Sequence, residues 1–257
     1  MVRSLFKTFY NLIFIIVVSL GIFILNPNLS TADTSPTSPY QQQEHPSPDG
    51  IGKYYMGREI ARFMGYTGAG WLERPKRETQ EKPNEVIGLL NLKPNNVVAD
   101  IGAGTGYFTF RIASLVPQGK VLAVDIQTQM LEIIGYIKQD LNITNVEPVL
   151  AIPNNPNLPE ESIDLALMVD AYHEFEYPQE MMKGIIKALK PGGRVVLVEY
   201  RGENPFIPIQ RLHKMTQKQV TQEMQTVGLV WRGTEEVLPS QHYMVFEKPQ
   251  IKSDVKS

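Results

Sequence analysis

Glycine falls at every second position in "ADIGAGTGYF", residues 99 to 108, directly after the apolar pair Val97-Val98, and no other stretch restricts the fold of this chain as tightly. Gly102, Gly104 and Gly106 can adopt positive φ and leave the main chain bare of Cβ atoms, so a ligand can come close to the backbone there. The other reading is a plain tight turn. The spacing differs from the dinucleotide fingerprint G-x-G-x-x-G, whose third glycine would fall at Tyr107, and the Gly-Lys-Ser/Thr of a P-loop is absent. A strand-like run from Asn96 to Ile101 precedes the glycines, and a helical pattern begins near Phe108. The loop therefore sits at the carboxyl end of a first parallel strand, where open α/β sheets bind ligands.

Beyond the loop, strand and helix patterns alternate. "VLAVD" (Val121 to Asp125) reads as a buried strand, followed by a helix with Met130, Ile134, Ile137 and Leu141 on one stripe. Further strands are expected at Val146 to Ala151, from Ile163 through "IDLALMVD", and at "RVVLVEY" after the stop signal "KPGG". Pro178 suits the first turn of a helix bearing Met181, Met182, Ile185, Ile186 and Leu189. A helix near Thr216 to Thr226 then leads to two last strands, Val230 to Leu238 and Tyr243 to Glu247, with no helix between them. This order predicts an α/β chain with a doubly wound, mostly parallel seven-stranded sheet, into which the final hairpin puts one antiparallel strand.

The amino terminus reads differently. Arg3 and Lys7 precede an apolar run from Phe9 to Leu25, interrupted by Asn11, Ser19 and Gly21, and "STAD" follows with small residues at Ser30 and Ala32. Residues 1–32 are expected to be an export signal, either cleaved or kept as a membrane anchor, with the rest of the chain sent across the membrane. Residues 33–49, rich in Ser, Thr, Pro and Gln, read as a flexible spacer, so the folded domain is expected over 50–257. A net charge of −2 gives no electrostatic case for nucleic acid. Cysteine is absent, which removes disulfides, thiolate metal sites and cysteine nucleophiles together.

Four motifs in order, "VVADIGAGTGYF", "VLAVD", "LPEESIDLALMVDAYHEF" and "ALKPGGRVVLVEY", resemble the class I S-adenosylmethionine-dependent methyltransferases over about Pro83 to Lys248. "YYMGREIARFMGYTGAGWLERPKRE" also resembles the amino-terminal part of a bacterial subgroup that carries export signals. The resemblance implies a Rossmann-like methyltransferase fold and S-adenosylmethionine as cofactor. It implies that Asp125 takes the ribose hydroxyls, that Gly102, Ala103, Gly104 and Gly106 bring backbone to the methionine portion, that Ile126 lies beside them, and that Asp100 sits near the ammonium group; a loop-bracing carboxylate is the other reading of Asp100. Family members often have an acidic residue after the third strand for the adenine; here that segment is "AIPNNPNLP", which leaves Asn154 or Asn155 as the substitute.

The methyl acceptor is expected beyond the fourth and fifth strands, near "DAYHEF" and "EYRGENP". His173 is the candidate base, with Asp170, Tyr172 and Glu174 as neighbours, against a simply packed or exposed histidine. The fourth strand lacks the N/D-P-P-Y/F motif of amino-methylating DNA enzymes, and the lack of cysteine excludes a cytosine-C5 mechanism. The Asp-Asn pair of metal-dependent catechol-type enzymes is missing after the fifth strand, so no metal is expected. What remains is a small-molecule acceptor, with a lipophilic one suggested by the membrane-directed amino terminus. The competing function is an exported binding or scaffold protein that keeps the fold without turnover, since S-adenosylmethionine is made in the cytoplasm.

Overall fold

A computed structural model describes residues 38–250, and the expected signal or anchor (1–32) and the first part of the spacer lie outside those residues. Among the described residues no helix is long and apolar enough to cross a membrane.

The first described elements were not anticipated. β1 (Tyr40–Gln42), β2 (Gly50–Tyr55) and β3 (Arg58–Ala61) form a small antiparallel sheet in that order, so part of the stretch expected to be a spacer is a paired strand. Two residues at positive φ, Met56 (47°) and Gly57 (88°), make the tight β2–β3 reversal that hairpins of this length require. Glu59 is buried, yet it accepts from Ser47 N (2.9 Å), Ser47 Oγ (2.5 Å), Gly52 N (3.0 Å) and Tyr54 Oη (3.2 Å). Burial alone would push this carboxyl up; the bonds, led by those from Ser47, hold it below its ordinary value. A polar, proline-rich segment is thus ordered by serving a buried carboxylate.

Three short helices follow, α1 (Ala69–Leu72), α2 (Arg77–Glu81) and α3 (Pro83–Leu89). The main body then alternates β4 (Val97–Ile101), α4 (Tyr107–Ala113), β5 (Lys120–Asp125), α5 (Thr128–Asp140), β6 (Val146–Leu150), β7 (Ile163–Val169), α6 (Pro178–Ala188), β8 (Leu189–Tyr200), α7 (Gln217–Thr226), β9 (Val230–Glu235) and β10 (Gln241–Glu247). The seven-stranded sheet has the order β6-β5-β4-β7-β8-β10-β9. β4 to β8 run parallel, and β10 enters antiparallel to both β8 and β9, as the helix-free final hairpin predicts.

Successive side chains of each central strand face opposite cores. Ala99, Ile101, Leu122, Val124, Ala166 and Met168 pack on one face with Met181, Met182 and Ile185 of α6 and Val220 and Met224 of α7. Val98, Val121, Ala123, Leu165 and Leu167 pack on the other with Val86 of α3, Phe108 and Ile112 of α4 and Ile134 of α5. Burial on both faces explains why these strands read as unbroken apolar runs. Two details differ from expectation. Leu141 is 60% exposed, so the α5 stripe ends before it. "KPGG" lies within β8 rather than ending the helix in a loop: the pairing of β7 jumps from Ile163↔Leu189 to Leu165↔Arg194, with Gly192 at φ +75° in the extra length.

From β4 the chain builds outward through β5 and β6, then returns to the other side of β4 with β7. The two strand ends that part at this reversal, Ile101 and Val169, open the crevice where such sheets take ligands.

Candidate functional site

The glycine loop is one wall of that crevice. Gly102 N and Ala103 N both donate to Val124 O, at 2.8 and 3.0 Å, which fastens the loop to the end of β5. All three glycines have positive φ: 73° at Gly102, 55° at Gly104 and 87° at Gly106. A Cβ on Gly102 would lie 2.7 Å from Ala171 Cβ across the crevice, and one on Gly104 would lie 2.6 Å from Leu72 Cδ1, so a side chain at either position would fill the gap. Asp125, at the end of β5, accepts from Gly104 N at 2.9 Å and from Gln127 N at 2.8 Å, one amide to each carboxylate oxygen. Both oxygens are oriented and each keeps a lone pair for a further donor. Burial raises the Asp125 carboxyl above its ordinary value against the pull of these amides.

The crevice widens into a cavity of about 540 Å³. Of the residues singled out by sequence as site candidates, Gly102, Gly104, Asp125, Ile126, Asp170, His173 and Glu174 line it. The others do not. Asp100 is buried behind the loop, where Thr109 Oγ1 donates to it at 2.6 Å and burial pushes its carboxyl up to about 6, so it braces the loop. Gly106 precedes α4, and a Cβ there would strike the Phe110 ring at 2.6 Å; its role is to start the helix. Ala103 is buried in the loop's core contacts. Asn154 is exposed in the turn after β6, and Pro153 faces the cavity in its stead. Tyr172 points into the core and donates to Glu223 Oε2 at 2.6 Å.

The opposite wall gathers charged groups from many elements. His173, in the short turn Tyr172–Glu174 after β7, is buried, with Nδ1 at 2.6 Å from Glu199 Oε2 of β8 and Nε2 at 3.1 Å from His213 Nδ1. Burial would lower the His173 value, but the adjacent Glu199 outweighs it and raises it to about 9. His213 moves the other way, to about 4, through burial and the neighbouring His173. Glu174, pushed up to about 7 by burial, accepts from Met64 N at 3.1 Å. Both ring nitrogens of His173, the candidate base, are thus engaged, and His213 carries the open face of the pair.

Two elements complete the enclosure. Phe63, Trp71 and Leu72 form an apolar rim, and the Arg74 guanidinium lies 3.8 Å from the Trp71 ring centroid. Behind them Glu81 accepts from Arg77 Nε at 2.8 Å and Tyr200 Oη at 2.7 Å and pairs with Arg74. Among the described residues that line the cavity, two buried side-chain atoms have no hydrogen-bond partner: Asp170 Oδ1 and Arg74 Nε. Asp170 is held at φ +49°, accepts from Gln241 Nε2 at 2.7 Å through its other oxygen, and is pushed well above the carboxylate range by burial and by Glu81 and Glu199. An acceptor and a donor left unpaired in one cavity fit a ligand that carries both a cationic and an anionic group. S-adenosylmethionine has such a zwitterion, and its ribose diol matches the oriented oxygens of Asp125.

Sequence reasoning overlooked His213, Glu199, Arg74 and Glu81. Glu199 carried a signal, a carboxylate inside the apolar run "VVLVEY"; His213 in "RLHKM" carried none.

Residues 92–250 match the family described as "Methyltransferase domain". The Ubiquinone/menaquinone biosynthesis C-methyltransferase UbiE of Ectopseudomonas mendocina is 30% identical over 124 residues, covering 47% of this chain and 48% of that one. The tRNA U34 carboxymethyltransferase of Desulfotalea psychrophila is 30% identical over 141 residues, covering 54% and 42%. The chain thus spans about half the length of these curated relatives. The crystal structure of a SAM-dependent methyltransferase from Aquifex aeolicus shares the fold, with a TM-score of 0.68 at 21% identity over 72% of this chain and 99% of that one.

Proposed function

The chain belongs to the family of S-adenosylmethionine-dependent class I methyltransferases, and from that premise we propose that its acceptor is a small, largely apolar molecule whose nucleophilic atom gives up a proton. The observation that carries this reading is the cavity itself: an oriented carboxylate and bare backbone on one wall, a buried His173 paired with a half-buried His213 on the other, and apolar side chains at the mouth. S-adenosylmethionine would supply a methyl group on a sulfonium: an aligned nucleophile attacks the methyl carbon in line, and the C–S bond breaks with the sulfur leaving as a neutral thioether.

The chain's own residues divide the remaining work. Asp125 accepts from the ribose hydroxyls, while Asp170 Oδ1 and Arg74 Nε take the ammonium and carboxylate of the methionine end. Asp170 replaces Asp100 in that role because it lines the cavity and Asp100 does not. Phe63, Trp71 and Phe175 offer apolar and aromatic surface to the acceptor and exclude water from its reacting atom. His213 and Glu174 face that atom and receive the proton it loses, with His173, held from behind by Glu199, bonded to the His213 ring.

Of the acceptors named for the relatives, a quinone precursor suits these surfaces better than tRNA. A net charge of −2 and an apolar-rimmed, enclosed cavity give little purchase to a phosphate backbone. The test is methyl transfer from tritiated S-adenosylmethionine to a panel of phenols, demethylated quinols and unmodified tRNA. Label is expected in the organic phase with a hydroxylated aromatic acceptor. Label in tRNA alone would overturn the acceptor class, and calorimetric binding of the cofactor with no transfer to any acceptor would favour the non-catalytic binding protein.

A further inference from the structure

The geometry points to a divalent transition-metal site made by His173 Nε2, His213 Nδ1 and Glu174 Oε1 on the acceptor wall. The three atoms lie 3.1 Å (His173 to His213), 3.5 Å (His213 to Glu174) and 3.9 Å (His173 to Glu174) apart. Ligands about 2.0–2.2 Å from a metal and adjacent in a tetrahedral or octahedral shell are separated by roughly 3–3.5 Å. The two imidazoles and the His213–Glu174 pair already meet that spacing, and the His173–Glu174 pair lies slightly beyond it. Nothing else among the described residues brings three such ligand atoms within 4.8 Å of one another.

A second observation supports the assignment. Glu199, fully buried, holds His173 Nδ1 at 2.6 Å through one oxygen and accepts from Tyr172 N at 2.9 Å through the other. A carboxylate behind a histidine in this way fixes the ring and turns its far nitrogen outward, the arrangement that backs metal-bound histidines. His213 is set by its own neighbour, since Leu212 N donates to Asp49 Oδ2 at 2.9 Å and the Leu212 side chain is buried. All three ligating residues line the cavity, so the remaining coordination positions open toward the acceptor. Two imidazoles and one carboxylate suit Zn²⁺, Co²⁺, Mn²⁺ or Fe²⁺ rather than Mg²⁺ or Ca²⁺, which take oxygen ligands.

The metal would take the place of the proton shared between the two rings. An acceptor oxygen bound to it would release its proton to water at neutral pH, so that with the metal in place the ligating residues would not have to receive it and the atom would be nucleophilic without a free base. That consequence rests on the acceptor reading above; metal binding itself does not. The sequence argued against a metal from the missing Asp-Asn pair after the fifth strand and the lack of cysteine; His213 stands far from His173 along the chain, in a segment with no motif of its own.

The full chain, purified in mild detergent and stripped with a chelator, is titrated with Co²⁺ followed by visible absorption, and with Zn²⁺ followed by metal analysis after gel filtration. Calorimetry with S-adenosylmethionine runs on each preparation as a separate readout. One metal per chain is expected in the wild type, loss of stoichiometric binding in His213→Ala, and roughly 10–100-fold weaker binding in Glu199→Gln, with cofactor affinity kept in both variants. Where an alanine variant fails to bind cofactor, carbethoxylation of His213 in the wild type decides: Zn²⁺ is expected to protect the ring. Wild-type protein that binds S-adenosylmethionine but no metal, metal retained at full affinity in His213→Ala, or no protection of His213 would each overturn the site in favour of a simple proton-sharing pair. Metal binding without cofactor binding would spare this site and strike the methyltransferase reading instead.

Discussion

The glycine wall draws its groups from neighbouring strand ends and fastens them with main-chain donors, Gly102 and Ala103 to the Val124 carbonyl and Gly104 to the Asp125 carboxylate. The acceptor wall instead assembles Arg58, His173, Glu199, His213 and Glu223 from β3, β8, α7 and two short turns, and holds them by side chains. At its base Arg58 donates to Glu223 Oε1 at 2.7 Å and Oε2 at 3.1 Å and to His173 O at 3.1 Å, while Tyr172 and Gln219 also donate to Glu223. A wall made of main chain tolerates substitutions nearby so long as glycine stays bare. A wall made of buried charges depends on each partner, because removing one leaves the other unpaired in a dry environment.

That contrast can be broken at three points. The largest effect is expected from Arg58→Ala, which strands Glu223, a side chain with no solvent exposure, and should cost about 3–5 kcal/mol in chemical denaturation. A loss under about 1 kcal/mol would mean that the acceptor wall does not depend on this pair. Next is Asp125→Ala on the glycine wall. Each charged hydrogen bond lost is worth about 1.5–3 kcal/mol, so cofactor affinity by calorimetry should fall roughly ten- to a hundredfold per bond. Equal affinity in the folded variant would move the ribose elsewhere.

The smallest concerns Asp100, beneath the glycine loop. Its carboxyl titrates at 3.8 when solvated and at about 6 in the folded chain, because burial outweighs the Thr109 bond. Through that window the folded state keeps a proton that the unfolded chain has released, so stability falls as pH rises, by on the order of 3 kcal/mol. Asp100→Asn should therefore gain on the wild type in melting temperature between about pH 4 and pH 7. A gap that narrows with rising pH would show that the buried carboxyl is already compensated.

Legibility in the sequence followed the same division. The glycine loop, Asp125 and the parallel strands were readable because each rests on contiguous residues: a bare backbone, a strand end, an unbroken apolar run. The antiparallel entry of β10 followed from the missing helix after β9. The acceptor wall was readable only in part. His173 stood out in "DAYHEF", but its partners Glu199 and His213 become neighbours only through the pairing of β7 with β8 and the return of the chain at Arg211–His213. The small β1-β2-β3 sheet was missed for another reason: a polar composition says nothing of a buried carboxylate elsewhere that Ser47 satisfies.

That sheet bears on where the chain can be shortened. β1 covers the outer side of β2 from Lys53 to Tyr55, Tyr40 reaches α6 through Glu180 and Gln179 N, and Asp49 steadies the segment carrying His213. Trimming at Gly50 would turn β2 into a bare sheet edge, the kind of surface on which separate molecules pair and aggregate. It would also withdraw the Ser47 bonds from Glu59 and the anchor from Leu212, so insolubility and loss of the histidine pair would arrive together. A polar stretch that looks dispensable is in this respect the solubility guard of the whole fold.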